Sequence, residues 1–310
     1  MRRQSRPLPP PWLWAAFTFV AAGAQALRNA AQHDLVPRIG AANAAFVRFL
    51  FGLPFALVFL PLACVFAGEA PAFPSGAALL ALVFASGAQV LATALMLLAM
   101  RTHSFVVATA LVKTEAVQIL GFGLLFLGDP VTPELLLAVG LATAGVSILS
   151  VPSREALSHA DRRSKHRAAA FGLASAAFFG LATVGFRESL LAQRNANFVV
   201  GASMASTLAL ALQSATILTW LAFADRAGAR AILAEARGSL GAGFLGAFAT
   251  LFWFLALALQ TAARVRTLGL VEALVAAMLS HHLFAQRISR RETFGVALIL
   301  AGVELALNGR

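Results

Sequence analysis

The sequence predicts an all-α membrane protein, with ten transmembrane helices arranged as two inverted five-helix repeats. Three observations lead there. Apolar runs of about 20 residues follow one another along the chain. The composition is too apolar for a water-soluble fold of this length. The chain also matches itself when shifted by 157 residues.

Of the 310 residues, 60% are hydrophobic and only 12% charged, with a mean hydropathy of +0.82. An ordinary soluble domain is nearer half apolar and a quarter charged, so lipid is the better solvent for this chain. Backbone amides in lipid must be satisfied internally, which leaves helices or a closed barrel. Barrel strands alternate polar and apolar residues over about ten positions. The continuous Ala-, Leu- and Phe-rich runs here decide for helices. The formal charge of +11 does not point to nucleic acid, because Lys and Arg sit in short loops and form no single stripe. The single cysteine, Cys64, excludes an intrachain disulfide and any CxxC metal or redox site. Met1 to Pro11 has the basic flank of a signal peptide, but Trp12 to Leu27 lacks a small-residue cleavage site. That segment reads as a retained first span.

The ten expected spans are 12–30, 41–67, 76–99, 104–127, 133–151, 168–187, 197–223, 239–260, 265–285 and 293–307. Loop signals separate them at Val36-Pro37-Arg38, Gly68-Glu69-Ala70-Pro71, Gly128-Asp129-Pro130 and Asp225-Arg226-Ala227-Gly228. The longest polar stretch, 152–167, carries Arg154, Arg162, Arg163, Lys165 and Arg167. It divides the chain into a first repeat, 12–151, and a second, 168–307.

The 157-residue shift aligns these halves without gaps. Glu115 falls on Glu272, with Leu111 and Ala116 on Leu268 and Ala273. Ala92-Thr93 falls on Ala249-Thr250, and Ala144-Gly145-Val146 on Ala301-Gly302-Val303. Alanine and leucine matches are cheap in this composition, whereas a matched glutamate inside an apolar run is not. Five spans per repeat is an odd number, so the halves point opposite ways through the membrane, as in many secondary transporters.

Two five-helix repeats, each closed by a loop and a Gly-rich fifth helix (Gly140–Gly145, then Gly295–Gly302), resemble the EamA family of the drug/metabolite transporter superfamily. The phrase Phe126-Leu-Gly-Asp-Pro-Val-Thr-Pro-Glu134 resembles that family's loop before the last helix of a repeat. Phe284-Ala-Gln-Arg-Ile-Ser-Arg-Arg-Glu292 is a looser counterpart, and Arg48 matches an arginine common at its place in the first repeat. The resemblance spans about 12–307. It implies a multi-pass protein of a bacterial-type inner membrane that carries amino acids or other small metabolites. The implied central cavity is lined mainly by the third, fourth, eighth and ninth spans.

Ionisable groups inside a span need a reason to be there. Glu115 and Lys113 lie two residues apart in the fourth span, on nearly opposite faces, so each requires a partner on another helix. Arg48 is the partner expected for Glu115. Glu272 is expected to face Glu115 across the cavity, and either carboxylate could couple proton movement to substrate movement. Gln89 and Trp253 fall in the third and eighth spans, where the family places cavity walls. Against each of these stands the plainer reading of a structural ion pair or a packed side chain. Arg187, Arg264 and Arg266, near span ends, are expected to snorkel towards the surface. His281-His282 splay about 100° apart on a helix and lack further ligands, so neither a metal site nor any cofactor is expected. Small residues around Gly172, Ala177 and Gly180 read as packing surface.

Two other functions fit such a chain less well. A membrane transferase needs clustered carboxylates or histidines at a membrane face, or a phosphate loop, and the sequence has none, so no enzymatic activity is expected. A lipid or lipid-carrier flippase needs a basic headgroup pocket, which Arg48 and Lys113 would furnish. The partners expected are the bilayer, a small-molecule substrate and protons, with no nucleic acid; the sequence does not speak to oligomeric state.

With Arg48 and Lys113 set aside as intramembrane, the odd-numbered loops hold fourteen basic residues, against eight in the even-numbered loops and termini. The positive-inside rule then puts the odd loops in the cytoplasm and both termini outside, opposite to the family's usual orientation. Reporter fusions within 152–167 and after Arg310 test this: activity of a cytoplasmic reporter is expected at the first site and not at the second.

Overall fold

A computed structural model of the chain describes residues 9–101, 111–150, 162–193, 195, 197–284 and 290–308. Among these residues there is no strand. The helices are α1 (Leu13–Ile39), α2 (Ala41–Leu50), α3 (Gly52–Ala67), α4 (Ala77–Arg101), α5 (Glu115–Phe122, prolonged by a π-helical turn over Gly123–Leu127), α6 (Pro133–Ser150), α7 (Arg162–Leu191), α8 (Phe198–Ala224), α9 (Arg226–Ala234), α10 (Ala236–Leu259), α11 (Ala262–Gly269), α12 (Glu272–Phe284) and α13 (Arg290–Asn308).

Five stretches are long and apolar enough to cross a membrane: Ala41–Ala67, Ala77–Met100, His166–Leu191, Phe198–Ala224 and Ala236–Leu259. The shortest of them has 24 residues, a length of about 36 Å against a hydrocarbon core of about 30 Å. Glu115–Leu127 and Pro133–Leu149 are shorter apolar helices. Large apolar side chains point outward without cover, Phe66 at 96% and Phe223 at 85% exposure. Such a surface suits lipid and not water. The interior, in contrast, is dominated by small residues such as Ala21, Ala22, Ala85, Ala92, Ala142 and Ala256. They let helices approach closely where lipid supplies no hydrophobic drive to association.

The most extensive helix pairs are α4 with α7, α6 with α13, and α1 with α10. A shift of 157 residues exchanges α1 with α7 and α4 with α10, so the first and third pairs are one kind of contact made twice. The α6–α13 pair maps onto itself, and its glycines do the same. A Cβ added at Gly145 would lie 2.6 Å from the Gly295 carbonyl oxygen, and one at Gly302 would lie 2.6 Å from that of Ala138. Positions 145 and 302, and 138 and 295, are each 157 apart. Buried hydroxyls add polar links between helices: Ser175 donates to the Ala92 carbonyl (2.8 Å), Thr207 to Ala56 (3.1 Å) and Ser214 to Phe49 (2.9 Å).

Several expected boundaries move. Val36-Pro37-Arg38 is helical rather than loop, because α1 runs on to Ile39 and turns only at Gly40, whose φ is +81°. Asp225 begins a nine-residue helix instead of an open loop, its side chain accepting from the Gly228 amide at 2.8 Å. Residues 162–167 of the basic stretch belong to α7, and 152–161 lie outside the described residues. Gly68 and Gly128 do end helices as their loop signals suggest, with φ of +63° and +65°.

The α6–α13 seam gives a test. Gly145→Ala and Gly302→Ala should each force the helices apart and destabilise by about 1–3 kcal/mol, as overpacking does. Gly140→Ala, where a Cβ would meet nothing within 4 Å, should be neutral. Thermal unfolding of the three variants in one detergent measures the difference.

Candidate functional site: a charged cavity between two broken helices

The expected fourth and ninth spans are each interrupted immediately before their glutamate. Residues 113–114 and 270–271 form turns, and Glu115 and Glu272 begin α5 and α12. The hydrogen bonds of the two breaks keep the same register. The Thr114 amide donates to the Leu111 carbonyl and the Val271 amide to Leu268, both at 3.1 Å. Val117 donates to Thr114 at 3.0 Å and Leu274 to Val271 at 2.9 Å.

The two glutamates are neutralised crosswise. Arg266, on the segment that leads to Glu272, donates to Glu115 at 3.1 Å. Lys113, just before Glu115, lies 3.9 Å from Glu272. Thr183 of α7 also faces Glu115 (3.4 Å), while Asn29 (3.0 Å) and Gln25 of α1 donate to Glu272. Since α1 and α7 are exchanged by the 157-residue shift, each glutamate is met by the first helix of the other half.

All six residues singled out by the sequence border one cavity of about 780 Å³: Glu115, Glu272, Lys113, Arg48, Gln89 and Trp253. The indole of Trp253 donates to Gln25 (3.1 Å) and lies under the Arg266 guanidinium, 4.7 Å from the ring centre. Gly269 makes room for it, since a Cβ there would fall 2.5 Å from the indole. Gln89 accepts from Gln213 of α8. Arg48 donates to Thr93 at 3.1 Å and packs over Phe49 at 4.3 Å.

Two expectations about charge partners change here. Arg48 is not the partner of Glu115; Arg266 takes that place, because the break at 270–271 lets the short α11 present Arg266 beside Trp253. For the same reason Arg266 does not snorkel. Nor does Arg187, whose side chain is 11% exposed and clamps three segments. It pairs with Asp129 at 3.5 Å, donates to the Leu257 carbonyl at 3.1 Å, and also donates to that of Gln260. Asp129 belongs to the loop after the π-helical turn, so the clamp ties that loop to the ends of α7 and α10. Phe186, next to Arg187 on α7, and Leu257, whose carbonyl Arg187 holds, both line the cavity. The other walls run from Gln25 to Val36 on α1, from Ala41 on α2, and to Met100 on α4, towards the first and third loops.

Sequence reasoning missed Gln25, Arg28 and Asn29, and counted Arg28 with a loop. With Gln32 they lie at i, i+3, i+4 and i+7, one polar stripe on an otherwise apolar helix, and all four line the cavity. Removing Arg28 from the odd side, and Arg187 and Arg266 from the even side, takes the basic-residue count from fourteen against eight to thirteen against six, which keeps its sign. The side chains of His281 and His282 lie outside the described residues, as does most of 284–292.

Comparison with known proteins identifies the fold alone. The chain superposes on a crystal structure of a protein with a TM-score of 0.69, covering 95% of each chain at 14% identity. No family model matches the sequence. No curated protein matches it either.

The crossed pairing predicts the effect of single substitutions. Glu115→Gln leaves the Arg266 guanidinium without its anion, a loss of about 3–5 kcal/mol for a buried pair. Arg266 keeps part of its side chain open to the cavity, so the lower end of that range is expected. Glu115→Gln combined with Arg266→Leu should recover part of the loss in a double-mutant cycle on unfolding temperature, whereas Glu115→Gln combined with Arg48→Leu should not.

Proposed function

We propose that this chain is a secondary transporter of EamA type. It would move a small metabolite, such as an amino acid or related organic solute, across a bacterial-type inner membrane by alternating access. The observation that carries the proposal is the cavity itself: about 780 Å³, within the range of small-ligand sites, polar at its centre, and built where two helices break in the same register. Discontinuous helices whose ends face a central cavity are how many transporters of inverted-repeat plan make their sites. The twofold pairing of α1 with α10 and α4 with α7, and the self-paired α6–α13 seam, support a reading as two inverted five-helix repeats of ten spans. The one-sided walls suit a state open towards the odd-numbered loops, with the Arg187 clamp at the opposite face.

Glu272 is the residue assigned to ion coupling. It shares the cavity with three cations besides Lys113, namely Arg28, Arg48 and Arg266, so protonating it changes the local charge balance. The experiment has two stages. Purified protein is first screened by thermal shift against small metabolites, because a ligand that binds only the folded state raises apparent stability. Those that bind are then assayed for uptake into proteoliposomes across a pH gradient. Saturable, gradient-dependent uptake is expected, and Glu272→Gln should lose the gradient dependence while still inserting and folding. Phospholipid scrambling without solute uptake would overturn the transport reading. Unchanged pH dependence in Glu272→Gln would remove the coupling role.

A further inference from the structure

The charges of the cavity do not balance. Among its described lining residues, four are permanent or strong cations (Arg28, Arg48, Lys113 and Arg266), while Glu115 and Glu272 are the only carboxylates. Lys113 and Arg266 are spoken for by the crossed ion pairs. Arg28 and Arg48 form no ion pair among the described residues. Arg28 is 6% exposed, yet its acceptor is a neutral amide, the side-chain oxygen of its neighbour Asn29, at 2.7 and 3.3 Å. Arg48 has the Thr93 hydroxyl as its acceptor, and its buried Nε has none. Arg28 and Arg48 line the same cavity, and the positive charge of Arg28 is felt at Arg48. Glu272 attracts both from a distance, but its oxygens already accept from Gln25 and Asn29 and face Lys113.

Two guanidiniums in one partly desolvated site, with neutral acceptors and one idle donor, are what an oxyanion needs. Guanidinium presents paired N–H donors that match carboxylate and phosphate oxygens. An anion between the two would relieve their repulsion and replace weak acceptors with a charged one. An ammonium finds the opposite situation, since both carboxylates are engaged and the remaining field is positive. Elsewhere on the wall Phe49, Met96, Leu97, Phe186 and Phe254 are available to a hydrocarbon body.

We propose that the cavity selects small organic anions, carrying a carboxylate or phosphonate-type group and no ammonium, with the acidic group seated between Arg28 and Arg48. This rests on the transport reading for its purpose, though not for its geometry. It narrows the substrate class from metabolites at large to acids, and sets zwitterionic amino acids aside.

The test uses molecules of one shape and different charge: 3-phenylpropanoate and benzylphosphonate as anions, phenylalanine as the zwitterion, and 2-phenylethylamine as the cation. Binding to the full chain in detergent is read by thermal shift and calorimetry, and uptake of benzylphosphonate, which is membrane-impermeant, is read in proteoliposomes. The anions should bind at least tenfold more tightly than phenylalanine, and the amine should not bind. Arg28→Gln and Arg48→Gln should each weaken anion binding about tenfold or more. Arg48→Lys, which keeps the charge, should lose less, and it serves as the folded reference if a neutral variant fails to insert. Tighter binding of phenylalanine or the amine than of the anions, or undiminished anion binding in a folded Arg48→Gln, would overturn the proposal. Uptake of a zwitterion without anion binding would sink it while leaving the transport reading intact. Anion binding without any uptake would support the site and defeat transport instead. Binding by none of the four would overturn the anion site.

Discussion

Glu115 and Glu272 are carboxylates placed among apolar helices, where an uncompensated charge costs several kcal/mol. Their compensation organises the centre of the molecule. Each is set on the first turn of a new helix, within reach of a cation from the other broken segment: Arg266 for Glu115 and Lys113 for Glu272. A continuous helix would give each glutamate neighbours only along its own face. The breaks at 113–114 and 270–271 set both glutamates at the starts of new helices, with the preceding Lys113 and Arg266 beside the same cavity. Ion pairs and helix breaks are therefore two sides of one arrangement.

The polar side chains around this pair of bridges extend the same logic outward. Gln25 links Glu272 to the Trp253 indole, and Trp253 in turn supports Arg266 from below. The network thus joins the two bridges through α1 and α10, which are themselves an extensive helix pair. Arg187 performs a different task at the far wall. It holds Asp129 and two carbonyls at the C-terminal end of α10, so that a loop and two helix termini are joined by hydrogen bonding beside the lining residues Phe186 and Leu257.

The all-helical, lipid-facing character was legible in the sequence because apolar run length and composition are nearly sufficient to establish it. The matched glutamates were legible too, since in an Ala- and Leu-rich chain a repeated carboxylate stands out from the background. The breaks were not. Lys113-Thr114 has neither glycine nor proline beside it, and at Leu270-Val271 the preceding Gly269 is a weak signal in a chain with 24 glycines. They follow from contacts with other helices. Arg266 was misassigned for a related reason: its distance along the chain from a span end says little once the span is two helices. Pro37 misled in the other direction, because a proline in the last turn of a long helix costs one backbone bond and does not have to end it. The stripe of Gln25, Arg28, Asn29 and Gln32 could have been found from its spacing alone.

The glycine seam between α6 and α13 carries further the small-residue packing that holds the rest of the bundle. At Gly145 and Gly302 the nearest atoms are the carbonyl oxygens of Gly295 and Ala138, and the glycines themselves have no rotamer freedom to surrender when the helices meet. Its attraction comes from dispersion and weak Cα–H···O contacts. Neither depends on ordering water, and so neither fades on cooling as hydrophobic association does. By contrast, Lys113 and Arg266 each carry about 2 kcal/mol of rotamer entropy, against which their ion pairs have to hold them, a cost that the seam glycines do not have.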